Sequence, residues 1–280
     1  MRKRLGSPNL FLINERVYSM KIAITGKGGV GKTTLAGILA RQFASAGYRV
    51  LAIDADPDAN LASSIGIPEN IFKEITPVSK MKELAKERTG AEDGYGSLFI
   101  LNPKVDDLPE RFWVEHEGVR LLVMGTVEQG GTGCVCPEHT ILKRLMQHLL
   151  VQREEVVIMD MEAGIEHLGR GTAGMVEALI VVVEPGLRSI QTAKHIQQLA
   201  KDLGIRQVYI VGNKVTGASD VKFIQEHIPE LTVLGIMSKS KEIAESDVLG
   251  VSAFDLGGPV VQEVGYIRDK LIQNLRAASY

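Results

Sequence analysis

The feature that most constrains this chain is the nine-residue run Gly26-Lys27-Gly28-Gly29-Val30-Gly31-Lys32-Thr33-Thr34. An apolar run, Lys21-Ile22-Ala23-Ile24-Thr25, precedes it, and the helix-like Leu35-Ala36-Gly37-Ile38-Leu39-Ala40 follows. Strand, glycine-rich loop and helix in that order make a phosphate cradle: loop N–H groups point inward at the phosphates and the helix presents its positive end. Gly26, Gly31, Lys32 and Thr33 fit G-x-x-x-x-G-K-[ST]. Gly28, Gly29, Val30, Gly31 and Thr34 line that cradle, Lys32 neutralises the β- and γ-phosphates, and the Thr33 hydroxyl ligates Mg²⁺. The alternative is a glycine-rich turn that holds no ligand. The motif predicts an ATP-type nucleotide site.

The chain has 280 residues, and its β-like and helical segments alternate, so a single α/β domain over 20–280 is expected. Its fold class is then a mostly parallel twisted sheet with helices on both faces. With 32 basic and 34 acidic residues the formal charge is −2, which suggests neither a nucleic-acid nor an anionic-membrane footprint. No apolar run reaches ~18 residues, so no spanning helix is expected. Residues 1–19 differ in character. Arg2, Lys3 and Arg4 precede Phe11-Leu12-Ile13, but the apolar stretch is too short for a secretory signal and breaks at Asn14-Glu15-Arg16. They read as a loosely ordered leader on a cytoplasmic protein, with Met20 as a second possible start.

Lys27 occupies a position that the phosphate-loop motif leaves open. The run K-G-G-V-G-K-T-T resembles the deviant Walker A of the family that contains nitrogenase iron protein and the Min, Par and arsenite-pump ATPases. That resemblance implies that Lys27 reaches the nucleotide of a second subunit, as a finger supplied in trans. A nucleotide-bound homodimer is then the active form; a solvated surface lysine is the alternative.

Further along, 48–54 reads as a buried strand that ends in Asp54-Ala55-Asp56-Pro57-Asp58, and carboxylates there face the phosphate site, because ligands sit at the carboxyl edge of open parallel sheets. The Asp-Pro pair resembles the family's first switch, whose aspartate orients the attacking water, a role that falls on Asp56. Asp54 and Asp58 are weaker candidates, near the Mg²⁺ or simply in an acidic turn. A polar helix over 78–88, a short strand over 98–101, a clearer strand over 119–124 and a half-buried Trp113 are expected next. At 155–160 a central parallel strand ends in Asp160, where a Walker B aspartate belongs, holding the Mg²⁺ water shell. Residues 161–171 form the second switch, with Gly164 as its hinge.

Between these lies a glycine-rich loop, 125–137, with the chain's only two cysteines, Cys134 and Cys136. One intervening residue suits a mutual disulfide poorly. Two thiolates leave a four-coordinate soft-metal site half filled, which two chains would complete on a two-fold axis. Otherwise the pair is simply buried. His139 is a possible extra ligand or a residue at a helix start.

The loop motif, D-x-D-P-D, L-N-P-K-V-D at 101–106, C-x-C and D-M-x-A-G-I-E-H-L-x-R-G-T at 160–172 together resemble the CooC-type ATPases, which mature nickel-containing carbon monoxide dehydrogenases and related acetyl-CoA-pathway enzymes. The resemblance runs from Met20 to about Lys214 and more loosely beyond. It implies ATP hydrolysis, a Ni²⁺ or Zn²⁺ site shared by the two Cys134-Cys136 pairs, and a client metalloenzyme as partner. His139 departs from the family pattern. Asn213, at the end of the strand 207–214, resembles the family's adenine-reading asparagine. Three other readings stay open: a positional or partitioning ATPase, an iron–sulfur scaffold or carrier, and nucleotide-gated metal storage. At the end of the chain, helices are expected over 189–203, capped by Ser189, near 241–249 and over 260–276. The last places Val264, Ile267, Leu271 and Leu275 on one face, which fits packing on the sheet better than a membrane-targeting tail.

Overall fold

The computed structural model describes residues 19–91, 98–125, 136–152, 155–165, 168 and 170–278. Eight strands form its sheet: β1 (Met20–Gly26), β2 (Val50–Ala55), β3 (Val114–His116), β4 (Val119–Val123), β5 (Val156–Met161), β6 (Ala178–Val183), β7 (Val208–Val215) and β8 (Thr232–Ser238). Their order across the sheet is β3-β4-β2-β5-β1-β6-β7-β8, and every pairing is parallel except the β3–β4 hairpin. β1, β2, β5 and β6 are buried along their whole length, as strands with a helical layer on each face must be.

Alternation along the strands divides the core in two. Ala23, Val157, Met159, Leu179 and Val181 face one side, where helices Pro137–Gln152 and Leu187–Leu203 contribute Leu145, Leu149, Ile190 and Ile196. Ile22, Ile24, Ile158, Ile180 and Val182 face the other, against Leu35, Leu39 and Phe43 of helix Lys32–Ser45 and Val264, Ile267 and Leu271 of helix Pro259–Ala278. The chain is a single α/β domain, a doubly wound sheet with its nucleotide loop at the carboxyl end of central β1. The last helix packs as its apolar spacing predicts: Val264, Ile267 and Leu271 are fully buried and Leu275 packs at the margin.

Two local expectations fail. Residues 98–101 form no strand; Leu98, Ile100 and Leu101 are exposed, and one bond, the Ile100 amide to the Thr89 carbonyl at 2.7 Å, joins the segment to the Lys82–Thr89 helix. An apolar run of four cannot report whether a neighbouring strand is available, and here β3 fills the sheet edge instead. Ser189 is no helix cap either. Gly186 precedes the helix, and the buried Ser189 hydroxyl accepts the Glu184 amide at 3.1 Å. The proposed leader falls almost wholly on residues 1–18, outside the described residues.

These placements have opposite consequences for stability. Ile267→Ala removes a fully buried side chain and is expected to lower the unfolding free energy by about 2–5 kcal/mol. Leu101→Ser, on a residue that is 66% exposed, is expected to change it by no more than about 0.5 kcal/mol. Urea denaturation of both variants checks this; a loss above 1.5 kcal/mol for Leu101→Ser would restore the buried strand.

Candidate nucleotide site

The loop between β1 and helix Lys32–Ser45 adopts the conformation a phosphate cradle requires. Gly31, at φ 94°, stands directly before the helix, and a Cβ there would run into the Asn213 amide. Gly26, at φ 147°, passes so close to the Val182 carbonyl that no side chain fits. Both positions therefore demand glycine.

The outer side of the loop is held from β7. The Asn213 amide donates to the Val30 carbonyl at 2.7 Å, while its oxygen accepts the Lys214 amide at 2.8 Å. Lys214 takes a left-handed backbone conformation, φ 57°, and its ammonium donates to the Gly29 carbonyl at 2.7 Å. Glu184, just beyond β6, lies 3.3 Å from Lys214 Nζ and 3.7 Å from Lys27 Nζ. Lys27 is thus drawn onto its own chain's Glu184 at the rim, whereas Lys32 is buried in the loop.

A cavity of about 600 Å³ extends from Gly28, Gly29, Gly31, Lys32, Thr33 and Thr34 past Asp56, Asp58 and Asn213 to a far wall at 238–247, Val251 and Ala253. With phosphates in the loop, a nucleoside would extend toward that wall. Asn213 stands between the two parts, buried and already bonded to the loop.

Sheet register creates the acidic side. Asp54 on β2 and Asp160 on β5 are direct cross-strand partners, and both are completely buried. Burial raises the Asp160 carboxyl to about 7; Thr33 and Lys32 pull it down, while Asp54 and Asp56 push it up. Neither Asp160 oxygen completes a hydrogen bond among the described residues. A shielded, unpartnered carboxylate beside Thr33 and Lys32 fits a Mg²⁺ ion and its water shell. Burial likewise raises Asp54 to about 6. Its oxygens accept the amides of Leu61 at 2.9 Å and Asp56 at 3.2 Å, so Asp54 secures the turn and the start of helix Leu61–Ile65. Asp56 lines the cavity, and one of its oxygens accepts the Asp58 amide at 3.0 Å. β5 ends at Met161, where the expected second switch starts. Thr25 Oγ1 lies 2.9 and 2.7 Å from the carbonyls of Glu162 and Gly164, which holds Gly164 against β1.

The family model for the CobQ/CobB/MinD/ParA nucleotide-binding domain matches residues 21–252. The chain belongs to this family. It is 53% identical over 237 residues to the carbon monoxide dehydrogenase accessory protein CooC of Rhodospirillum rubrum, covering 85% of this chain and 90% of that one, and is a CooC-type member. An uncharacterised ATP-binding protein of Methanocaldococcus jannaschii is 45% identical over 258 residues, 91% of this chain and 98% of the other. Among solved structures, a plasmid partition protein of Borrelia burgdorferi bound to AMPPNP superposes with a TM-score of 0.68 at 18% identity, covering 91% of this chain and 99% of that one. The MinC:MinD complex of Aquifex aeolicus gives 0.67 at 19%, covering 91% and 96%. At such identities they establish the fold alone.

The C-x-C loop of this CooC-type chain leaves the sheet after β4, where the Met124 amide donates to the Asp54 carbonyl at 2.9 Å. Cys134, Glu166 and His167 lie outside the described residues. Cys136 stands at the start of helix Pro137–Gln152, and its Sγ accepts the His139 amide at 3.4 Å. Burial holds its thiol above the usual range, and the His139 amide counters in part. No cluster of three metal-ligating side chains occurs among the described residues, and no helix among them is long and apolar enough to cross a membrane.

Sequence reasoning missed Lys214 and Glu184 as partners of the loop. Asn213-Lys214 at a strand end was visible, but the left-handed turn that brings both side chains over the loop is not encoded in residue type.

The raised carboxyls carry a sign. A group that binds its proton more tightly folded than unfolded contributes stability fully present below about pH 4 and lost as pH rises through about 6 for Asp54 and 7 for Asp160. Asp160→Asn is therefore expected to raise the thermal midpoint of the nucleotide-free protein at pH 8 and flatten its slope between pH 6 and 8, while abolishing the midpoint gain from Mg-ATP. Thermal unfolding with and without Mg-ATP checks this; a lowered apo midpoint at pH 8 contradicts it.

Proposed function

We propose that this chain is an ATP-hydrolysing, dimeric metallochaperone that assists metal insertion into a carbon monoxide dehydrogenase or related metalloenzyme. The likeness to CooC over most of both chains carries this reading. Thr33 and Asp160 hold Mg²⁺, which supplies positive charge at the phosphates. Lys32 neutralises the same phosphates from within the loop, and Asp56 positions the attacking water. Asn213 reads the adenine as well as bracing the loop.

Lys27 has two destinations. In a single chain it rests on Glu184, an exposed pairing worth little. In the dimer it leaves for the nucleotide of the second chain, where a shielded, charge-accumulating site rewards a cation far more. Cys134 and Cys136 of both chains bind nickel or zinc as cargo. The cysteine loop and the first switch both leave the carboxyl edge of the sheet, from β4 and its neighbour β2, and this adjacency supports a changed nucleotide state bearing on the thiolates. A neutral Cys136 thiol in the single chain means that metal binding releases a proton. We place the protein in the cytoplasm, and residues 1–19 outside the ATPase domain.

Anaerobic titration with nickel or zinc, followed by native mass spectrometry with and without ATP, is expected to give one metal per dimer, lost in Cys136→Ala. One metal per single chain, unaffected by Cys134→Ala and Cys136→Ala, would overturn the shared site. Lys27→Ala is expected to reduce turnover by ~10²-fold or more while changing nucleotide affinity less than about threefold. Unchanged turnover would remove Lys27 from the chemistry.

A further inference from the structure

The far wall of the cavity is tied to the phosphate loop and the segment that carries Asp56 through a run of partly buried bonds that neither the loop motif nor the family assignment explains. It begins at Ser252, completely buried between the cavity-lining residues Val251 and Ala253. The Ser252 hydroxyl donates to the Ser64 carbonyl at 2.7 Å. The Ser64 hydroxyl donates in turn to the carbonyl of Thr33, whose hydroxyl sits beside Asp160, at 2.9 Å.

A second tie runs alongside. Arg41, 6% exposed, donates to the Ile65 carbonyl at 2.7 Å and to both oxygens of Asp255, at 2.7 and 3.3 Å. Its guanidinium also lies over the Phe254 ring, 5.0 Å from the centroid, and 3.8 Å from Glu117. A buried arginine is retained only when its donors are matched, and these partners span three separate parts of the chain.

Both ties meet on helix Leu61–Ile65, whose first amide is held by Asp54. The segment 56–60 carries Asp56 and, among the described residues, has no hydrogen bond beyond short-range turns and the Asp54 bond. Its only non-glycine residue at positive φ is Ala59, at 45°. Where this segment rests therefore depends on where the helix rests.

We propose that Ser252, Ser64 and Arg41 are positioning residues that couple occupancy of the nucleoside end of the cavity to the placement of Asp56 and Thr33. A ligand reaching the wall at 251–253 fixes Ser252 and Asp255. They fix helix Leu61–Ile65, and the helix fixes the switch. A triphosphate without a nucleoside fills the cradle and leaves the wall unset. The coupling rests on the nucleotide-site reading, and its consequence for turnover rests on hydrolysis.

Hydrogen exchange of the full-length protein tests the coupling without requiring turnover. In the wild type, saturating Mg-ATP is expected to slow exchange over 56–66 at least about fivefold more than saturating Mg-tripolyphosphate. In Ser252→Ala and, separately, in Asp255→Asn, which removes the charge paired with Arg41 while the Ile65 carbonyl still accepts from it, that difference is expected to disappear. In parallel, the ratio of kcat for ATP to kcat for ribose 5-triphosphate is expected to fall about fivefold or more in each variant, with KM for ATP within about threefold. A purely structural role lowers both rates alike. Equal protection by the two ligands in the wild type, or a nucleoside-specific difference that survives in both variants, overturns the coupling. An absence of wild-type ATP turnover with the exchange pattern intact overturns hydrolysis and leaves the coupling standing.

Discussion

A backbone that turns its N–H groups inward toward phosphate must turn its carbonyls outward, and those carbonyls need partners of their own. Here they come from two consecutive residues of β7: the Asn213 amide on the Val30 carbonyl and the Lys214 ammonium on the Gly29 carbonyl. The rest of the structure is arranged about this support. β7 must lie two places from β1, β6 must place Glu184 just beyond its end, and Lys214 must accept a left-handed backbone conformation. Strain of that kind persists only where its surroundings over-determine it.

The acidic half of the site follows from a different constraint. Parallel pairing aligns Asp54 with Asp160 at the ends of adjacent strands, and the helical layers seal both from water. Burial strips both carboxylates of hydration and raises both, and Asp54 also pushes Asp160 up. The site thus holds an unfavourable charge arrangement. Asp54 meets its share by binding amides; among the described residues neither Asp160 oxygen has such a partner. One pair of residues, alike in sequence context, acquires two roles because only one faces a helix start.

Much of this was legible in residue order. The strand–loop–helix order around 26–34, the strands expected at 48–54 and 155–160, and the apolar face of the last helix are written in short-range patterns, and the structure reproduces them, with the strands at 50–55 and 156–161. The short strand over 98–101 and the Ser189 cap were misread for one reason. Both expectations rested on local composition, whereas strand pairing and hydrogen-bond partners are settled by what lies opposite. The clamp on helix Leu61–Ile65 was invisible, because Arg41 and Asp255 are separated by most of the chain and a polar residue in a helix reads as surface until its neighbours are known.

By itself, the sequence determined that a glycine-rich loop of the phosphate-binding pattern stands at 26–34 between a strand and a helix, that carboxylates stand at the carboxyl ends of strands, and that the chain folds as alternating strand and helix. Those properties depend on spacing along the backbone. Only the tertiary structure decided that Asp54 braces a helix while Asp160 stays unpartnered, that Lys27 rests on Glu184, and that Ser252 reaches Thr33 through Ser64. These depend on distances between segments far apart in the chain, which are set when the sheet register and the two helical layers close around them.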